Sequence, residues 1–256
     1  RSRCRPSAQM DEADWDDVAA TFEQEILSVP KHDRRKRIAQ CVKKHANPAG
    51  TAGDIGCGIG RTIALLAENF GTVQAADISS RCIARAERLN APYSNVRYHH
   101  ANLALPLPFR PVDFALCINV LLTAPRTKRQ AMLANLCAAV KPGGHLLLVV
   151  PALESALYAS HRLVQLYESM GMKPAVAQRK AARDTTRLDM GIVVAGGTPT
   201  KHFIKEELAD LLLQHGMEAP DIKKIEYPWS FALEEAPYHM APPLPWNWMA
   251  VARKAG

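Results

Sequence analysis

Two spacings of apolar residues alternate along the middle of the chain. Short apolar runs predict β-strands, which lie near 51–55, 73–76, 96–100, 113–118 and 145–150. Longer segments with apolar residues at helical spacing predict helices near 61–70, 80–90 and 128–140. Strands that alternate with helices in this way are typical of an α/β fold with a doubly wound, mostly parallel sheet.

Segments on either side of this core carry similar patterns. Helical spacing predicts further helices at Asp11–Leu27, Asp33–His45, Leu153–Met170 and Lys205–His215, with Pro30 ending the first and Gly216 closing the last. The final two strands are predicted at Ile222–Tyr227 and Trp248–Arg253. Clusters of proline and glycine predict turns at Asn47–Gly50 and Lys141–Gly144.

These elements predict one domain over residues 1–256. We divide it into an N-terminal tail and helical cap (1–46), a core (47–150), an insertion or lid (151–200) and the C-terminal part of the sheet (201–256). Because the insertion follows the fifth strand, we expect it beside the carboxyl ends of the strands, where α/β sheets bind ligands.

Charge and cysteine usage narrow the class of protein. The formal net charge is +7, and much of the excess lies in Arg1–Arg5 and Lys31–Lys44. A basic surface suits nucleic acid or an acidic substrate, but no RNA- or DNA-binding signature occurs, so we interpret it as a solvated surface. The six cysteines include no C-x-x-C pair, which argues against a zinc or redox site and favours a reducing, cytoplasmic location. The longest apolar runs are too short to cross a membrane.

The most specific pattern is Asp54-Ile55-Gly56-Cys57-Gly58-Ile59-Gly60, between a predicted strand and a predicted helix. Closely spaced glycines leave no side chains between the backbone and a ligand, and a helix N-terminus suits an anionic group. Asp77 ends the next strand, where an acid binds ribose hydroxyls in nucleotide sites. The G-x-G-x-x-G/A spacing of dinucleotide sites is not met, because Arg61 or Ile63 takes the third position, and the phosphate-loop motif is absent.

The glycine motif resembles the D/E-x-G-x-G-x-G of class I S-adenosylmethionine-dependent methyltransferases. Asp113–Leu122 resembles the family's fourth strand with the apolar segment after it, and Lys141–Val150 resembles its K-P-G-G turn and fifth strand. The resemblance covers residues 50–150 well and the C-terminus moderately. It implies the strand order 3-2-1-4-5-7-6, with N-terminal helices and a helical insertion added here. It also implies S-adenosylmethionine as the cofactor, with a protein that mainly binds, orients and excludes water.

The same resemblance implies which residues contact the cofactor: Asp54, Gly56, Cys57, Gly58, Gly60, Asp77, Ile78, Asn102 and Asn119. The glycine loop would pass the amino acid part of the cofactor, and Asp54 would face its amino group. Asp77 would bind both ribose hydroxyls, and Ile78 would flank the adenine. In the family an acid after the third strand accepts a hydrogen bond from the adenine amino group, and Asn102 is the best match to it. The open alternative is that Asn102 only shapes a turn.

The acceptor side is less specific in sequence. Candidates for the pocket are Trp15 and Phe22 on the first helix, Thr123 after the fourth strand, Tyr158 and Arg162 on the insertion, and Trp229, Tyr238 and His239 in the last long loop. His161 is the candidate general base, against the alternative of an ordinary surface or core histidine. Adjacent strand residues point to opposite faces, so His99 and His100 predict no metal site.

We predict a methyltransferase for a small molecule, with the N-terminal helices and residues 151–200 as the roof of its pocket. No N/D-P-P-Y/F/W motif follows the fourth strand, which argues against amino methylation of nucleic-acid bases or of glutamine. Two alternatives remain: a methyltransferase for protein or RNA, and a non-catalytic cofactor-binding scaffold. We expect a monomer or homodimer without a membrane partner, and the acceptor atom stays open.

Overall fold

The computed structural model describes residues 11–19, 28–182, 190–195, 198–232 and 240–256. Its strands are β1 (Asn47–Ile55), β2 (Phe70–Asp77), β3 (Val96–His100), β4 (Val112–Ile118), β5 (Val140–Pro151), β6 (Ile192–Ala195), β7 (Thr198–Lys201), β8 (Asp221–Glu226) and β9 (Trp246–Arg253). Seven of them form one sheet in the order β3-β2-β1-β4-β5-β9-β8, while β6 and β7 form a separate hairpin. β1 to β5 are parallel, and β9 runs antiparallel to β5 and β8. Without the hairpin in the count, this is the predicted strand order, so the predicted fold class is confirmed.

The helices among the described residues are α1 (Glu12–Val18), α2 (Val29–His32), α3 (Arg37–Lys44), α4 (Ile63–Ala67), α5 (Ser80–Leu89), α6 (Arg126–Ala138), α7 (Leu153–Ser169), α8 (Pro174–Ala181) and α9 (Lys205–Gln214). A short 3₁₀ turn covers Trp229–Phe231. No helix in the described part of the chain is long and apolar enough to cross a membrane.

Helices cover both faces of the sheet because neighbouring residues of the central strands are apolar on both sides. Leu148 of β5 lies in one buried cluster with Leu133 of α6 and Leu208 of α9. Its neighbour Leu147 lies in a second cluster with Ile38 of α3. Two separate cores on one sheet are what a doubly wound fold requires.

Two segments predicted as turns are irregular parts of strands. Asn47–Gly50 belongs to β1, whose pairing with β2 shifts between Asn47 and Thr51. Lys141–Gly144 belongs to β5, whose pairing with β4 shifts between Val112 and Phe114 of β4. Gly143 in this segment has a φ of 78°. The extra residues bulge out of the ladder, so the proline and glycine pattern marks bulges within strands.

The helix boundaries also differ from the predictions. Helix α4 is limited to Ile63–Ala67, because residues 56–62 form consecutive turns and Phe70 already starts β2. Pro30 lies in the first turn of α2, where a missing N–H and a fixed φ are tolerated. The hairpin β6–β7 has no counterpart in the predicted helical insertion.

Elements from distant parts of the chain gather at the carboxyl edge of the parallel strands. The end of the insertion is attached there at two points. Thr200 of β7 pairs with Thr123 after β4, and Phe203, just beyond β7, pairs with Ala152 after β5. On the opposite side, the ring of His32 at the end of α2 lies 4.7 Å from the ring of Phe231 after β8. The carboxyl edge is thus bordered by N-terminal, inserted and C-terminal segments.

Candidate functional site

The loop between β1 and α4 requires glycine at alternate positions. Gly56, Gly58 and Gly60 have φ values of 77°, 53° and 81°, in the left-handed region. Space is limiting as well, since a Cβ on Gly56 would lie 2.1 Å from Val120 Cγ2, and one on Gly60 would lie 2.6 Å from Asn90 Nδ2. The path of the loop and its close packing therefore both account for the glycine motif.

Two N–H groups of this loop are engaged within the protein. Gly56 donates to the carbonyl of Ala76 at 2.7 Å, and Gly58 donates to Asp77 Oδ2 at 2.8 Å. Helix α4 begins beyond the loop, at Ile63. A ligand at this loop also meets the carboxyl groups of Asp54 and Asp77, which favours a group carrying positive charge.

Asp77 ends β2 beside the glycine loop. Its Oδ2 accepts the Gly58 N–H, and its Oδ1 accepts the Ser79 N–H at 2.9 Å. Burial raises the pKa of the carboxyl, and these two backbone donors act against that rise. A carboxylate oxygen accepts two hydrogen bonds, so each oxygen retains an acceptor site for a further hydroxyl.

Asp54 lies near the end of β1, 3% exposed, and its Oδ2 accepts a hydrogen bond from Thr62 Oγ1 at 2.6 Å. Burial raises the pKa of Asp54 to about 7, and the nearby Asp77 adds to the rise. A cationic group beside this carboxyl would favour its ionised form. Cys57 is also buried, and burial raises the pKa of its thiol, so it acts as a small apolar residue in the loop.

Helix α1 closes the site over the end of β2. Asp16 Oδ1 accepts hydrogen bonds from Ser79 Oγ at 2.5 Å and from Arg81 N at 3.1 Å, at the N-terminus of α5. Ile78 lies between Asp77 and this contact, and its carbonyl oxygen is 2.8 Å from His100 Nε2. The predicted adenine-side residue therefore lies under the N-terminal cap.

Asn102 follows β3 and shapes its own turn. Its Oδ1 accepts the Ala104 N–H at 2.9 Å, and its carbonyl accepts the Leu105 N–H at 2.9 Å. The Ala101 N–H donates to the Asp77 carbonyl at 2.8 Å, which holds this turn beside the end of β2. Asn102 is thus a turn asparagine, and the side-chain oxygen offered to an adenine already accepts one hydrogen bond.

Asn119 and Thr123 follow β4 at the middle of the sheet edge. Asn119 has a φ of 54°, and its Oδ1 accepts a hydrogen bond from Asn247 Nδ2 at 3.3 Å. The buried Arg129 donates from Nη1 to the carbonyls of Thr123 at 2.7 Å and Ala124 at 2.9 Å. These contacts fix the segment after β4 from both sides.

Three predicted acceptor residues lie together on the insertion and the last loop. The ring of Tyr158 is 5.8 Å from the ring of Trp229. Arg162 Nη1 donates to Tyr158 Oη at 3.0 Å, and its guanidinium carbon lies 5.2 Å from the centre of the Trp229 ring. Trp246 at the start of β9 joins this group, 6.2 Å from the Tyr158 ring.

The other acceptor candidates are not brought into this group. Trp15 is half-buried on α1 at the opposite end of the site. His161 is exposed, with its ring 6.4 Å from that of Tyr158. Phe22, Tyr238 and His239 lie outside the described residues.

The adjacent histidines of β3 have separate partners. His99 Nε2 lies 2.7 Å from Gln74 Oε1, whereas His100 Nε2 lies 3.0 Å from Glu12 Oε1 of α1. Within the described ranges, no cluster of three or more His, Cys, Asp or Glu side chains is arranged to hold a metal ion.

Three buried polar atoms at the sheet edge have no hydrogen-bond partner among the described residues: Thr123 Oγ1, Trp229 Nε1 and Trp246 Nε1. Such an atom costs about 1–3 kcal/mol when left unpaired. Both tryptophans are almost fully buried, at 3% and 7% exposure. Unpaired donors and acceptors at one edge of the sheet are what a polar ligand would satisfy.

Sequence reasoning missed the residues that hold this site in place. Asp16, Arg129 and Asn247 act through contacts with segments far away in the chain. An acid in an amphipathic helix, an arginine in another and an asparagine in a strand are common, so no local pattern could have distinguished them.

Comparison with known proteins places this core in context. Residues 53–144 match the family model described as a methyltransferase domain. No curated protein sequence matches the chain. The fold resembles solved structures at low sequence identity.

One of these is a 1,6-didemethyltoxoflavin-N1-methyltransferase of Burkholderia thailandensis, with bound 1,6-didemethyltoxoflavin and S-adenosylhomocysteine. It is 17% identical, has a TM-score of 0.62, and the match covers 96% of this chain and 87% of that one. The N-methyltransferase NodS of Bradyrhizobium japonicum, in complex with S-adenosylhomocysteine, is 12% identical at a TM-score of 0.57, covering 93% and 99%. A putative methyltransferase complex with the Trm112 activator of Haloferax volcanii gives 15% identity and a TM-score of 0.60, covering 96% and 99%.

Proposed function

We propose that the chain is a class I S-adenosylmethionine-dependent methyltransferase and that it methylates a small molecule. The observation that carries the proposal is that several segments border the carboxyl edge of the parallel strands. Segments from the N-terminus, the insertion and the C-terminal part of the chain all meet there. A macromolecular acceptor needs an open face at this edge, whereas a small one benefits from exclusion of water.

The residues present fit S-adenosylmethionine, whose sulfonium and amino groups carry positive charge. Asp54 and Asp77 supply two carboxyl groups at neighbouring strand ends. Burial, together with the nearby Asp77, raises the pKa of Asp54 and so favours its neutral form when no cation is bound. Bound S-adenosylmethionine supplies an activated methyl group. In our proposal Asp77 holds the ribose hydroxyls, Asp54 faces the amino group, and Ile78 lies beside the adenine. The glycine loop with Cys57 borders the amino acid part, Asn102 accepts from the adenine with its remaining acceptor site, and Asn119 lies nearest the methyl group.

The acceptor would occupy the space between the segment after β4 and the aromatic group of Tyr158, Trp229 and Trp246. Thr123 contributes an unpaired hydroxyl on the first side, and Arg162 contributes a cation on the second. The neighbour from Burkholderia thailandensis holds its small heterocyclic acceptor in the same fold, which supports a small acceptor here. His161 remains the candidate base in our proposal, and its ring lies 6.4 Å from that of Tyr158.

The location of the protein enters the same proposal. We place its activity in the cytoplasm, because Cys41, Cys57, Cys82, Cys117 and Cys137 are free thiols, which suits a reducing compartment. Immunoblotting of cell fractions for the protein tests this location.

The decisive experiment is a transfer assay with S-adenosylmethionine carrying a tritiated methyl group. The purified protein is incubated separately with a metabolite extract, with total RNA and with a protein fraction. We expect label in the metabolite extract, and we expect Asp77→Asn to abolish it while Glu87→Gln, on the exposed face of α5, leaves it unchanged. Label in RNA or protein alone would favour the macromolecular reaction that the net charge of +7 suits. Tight cofactor binding without any labelled fraction would favour a non-catalytic scaffold.

A further inference from the structure

We infer that the acceptor carries an oxyanion, a carboxylate or a phosphate, held by the aromatic group of Tyr158, Trp229 and Trp246. This inference rests on the proposed function and adds the charge class of the substrate. It starts from the two indole N–H groups of Trp229 and Trp246, which are buried and unpaired among the described residues. An indole N–H is a donor only, so the missing partner is an acceptor.

The two indole rings lie in one region of the fold. Both rings pack against Tyr158, at 5.8 and 6.2 Å. Trp229 follows β8, and Trp246 at the start of β9 lies in the same buried cluster as Leu121 after β4, with Tyr158 packed against that cluster. The aromatic group therefore adjoins the segment where the methyl group would be transferred.

Two cations lie on the faces of the same rings. The Arg162 guanidinium carbon is 5.2 Å from the centre of the Trp229 ring, and Lys224 Nζ is 3.5 Å from the centre of the Trp246 ring. The ion pairs of the described residues involve other cations, namely Arg81, His100, Lys141, Lys201, Lys223 and Arg253. Glu226 is the acid opposite Trp246 in the β8–β9 pairing. Glu154, the partner of Trp248, is a second acid nearby. The two cations balance these two acids, and the two unpaired N–H donors then favour an oxyanion as acceptor.

Trp248, two residues after Trp246 in β9, has an indole N–H with a hydrogen-bond partner. Trp248 lies 5.9 Å from Trp246, ring to ring, and its Nε1 donates to Glu154 Oε2 at 3.1 Å. A carboxylate is thus already the hydrogen-bond partner of the Trp248 indole. In our inference, a carboxylate or phosphate of the acceptor is the corresponding partner of the neighbouring Trp246 indole.

The test compares 2-naphthoate with its neutral amide, 2-naphthamide, and with naphthyl phosphate, by calorimetry on the protein saturated with S-adenosylhomocysteine. We expect the acid or the phosphate to bind about 10- to 100-fold more tightly than the amide, as for charge-assisted hydrogen bonds. The anion that binds more tightly shows whether the oxyanion of the acceptor is a carboxylate or a phosphate. Equal binding of acid, phosphate and amide, or binding of none of them, would overturn the inference.

Matched variants separate this site from general packing. Trp229→Phe and Trp246→Phe keep a ring and remove the N–H, so each should reduce the preference for the anion, whereas Trp248→Phe should not. Arg162→Gln should reduce it as well, and Arg179→Gln on the exposed side of α8 serves as its control. A preference that survives in Arg162→Gln and in both Phe variants contradicts the inference.

The outcome is distinguishable from failure of the proposed function. In the tritium assay, the labelled metabolite should be retained on an anion-exchange column at neutral pH. A labelled metabolite that passes through the column leaves the small-molecule function intact and overturns the oxyanion. Absence of any labelled metabolite contradicts the proposed function itself, whatever the naphthalene probes do.

Discussion

The carboxylate of Asp77 binds Gly58 and Ser79 with the same two oxygens that a ribose diol would approach. Asp77→Asn replaces one of these oxygens by a donor and removes the charge. We expect it to weaken cofactor binding by about 10- to 1,000-fold, because charge-assisted hydrogen bonds contribute roughly 1.5–3 kcal/mol each and do not add fully. Calorimetry with S-adenosylhomocysteine checks this, with Glu87→Gln as the control, and an affinity within about threefold of the parent would refute the role.

Asp54 makes cofactor binding depend on pH. Its folded pKa is raised from 3.8 to about 7 by burial. In the free protein, this shift contributes stability below about pH 4, on the order of 4 kcal/mol, and the contribution is lost as the pH rises through about 7. The cofactor's amino group favours the ionised carboxyl, so binding should oppose that loss.

We therefore expect the affinity for S-adenosylhomocysteine to fall as the pH drops from 8 to 5.5, approaching tenfold per unit once the pH lies below the pKa of about 7. In Asp54→Asn the affinity should be lower and nearly independent of pH over this range. Titrations across the range test both points. A parent protein whose affinity does not change with pH would rule out Asp54 as the group that faces the cofactor.

Gly56 illustrates how conformation and space combine at one position. In Gly56→Ala, the φ of 77° costs about 1–2 kcal/mol, and the overlap with Val120 adds roughly 1–3 kcal/mol. Gly171→Ala is the matched control, since Gly171 has a φ of 86° and a Cβ there would meet nothing within 4 Å. Thermal unfolding should show the larger loss for Gly56→Ala, with partial rescue by Val120→Ala. Equal losses would show that space is not limiting in the loop.

Asp16 joins helix α1 to the start of α5, in addition to the contact between Glu12 and His100. The hydrogen bonds from Ser79 and Arg81 keep the pKa of Asp16 below its usual value. Asp16→Ala should release α1, speed hydrogen exchange over residues 12–18, and weaken cofactor binding several-fold. Asp17→Ala is the control, because Asp17 is exposed and reaches only Arg81, at 3.6 Å, among the described ion pairs. Unchanged exchange in Asp16→Ala would mean that other contacts hold the helix.

Elements could be predicted from the sequence to the extent that they are buried within regular structure. The sequence predicts the long apolar run of β5 and the periodic helix α6, whereas it predicts turns at Asn47–Gly50 and Lys141–Gly144, where the structure has bulges. Both segments contain the proline and glycine of a turn, and only pairing with the neighbouring strand turns them into strand residues. No sequence pattern predicts the hairpin β6–β7, because its strands are short and are held through Thr123 and through the pairing of Ala152 with Phe203, and both Thr123 and Ala152 lie far from the hairpin in the sequence.

At the scale of the whole molecule, topology and cofactor class could be predicted because they depend on a local motif and on the order of strands and helices. The acceptor side could not, because its aromatic group joins α7, the loop after β8 and β9. Tyr158, Arg162 and Trp229 were named as separate candidates, but their meeting depends on tertiary packing. Unpaired indole N–H groups exist only in the folded chain, so no sequence pattern could reveal them.

The contact between His32 and Phe231 joins two distant segments across the border of the site. We expect this contact to act as a latch that opens for substrates and products and recloses during each catalytic cycle. We expect solvent friction to set the pace: kcat should fall in proportion to viscosity in sucrose, while bulky polyethylene glycol of matched macroscopic viscosity has little effect. Phe231→Ala removes the latch and should make turnover insensitive to sucrose. A kcat of the parent enzyme that ignores sucrose would mean that chemistry, rather than opening, limits the rate.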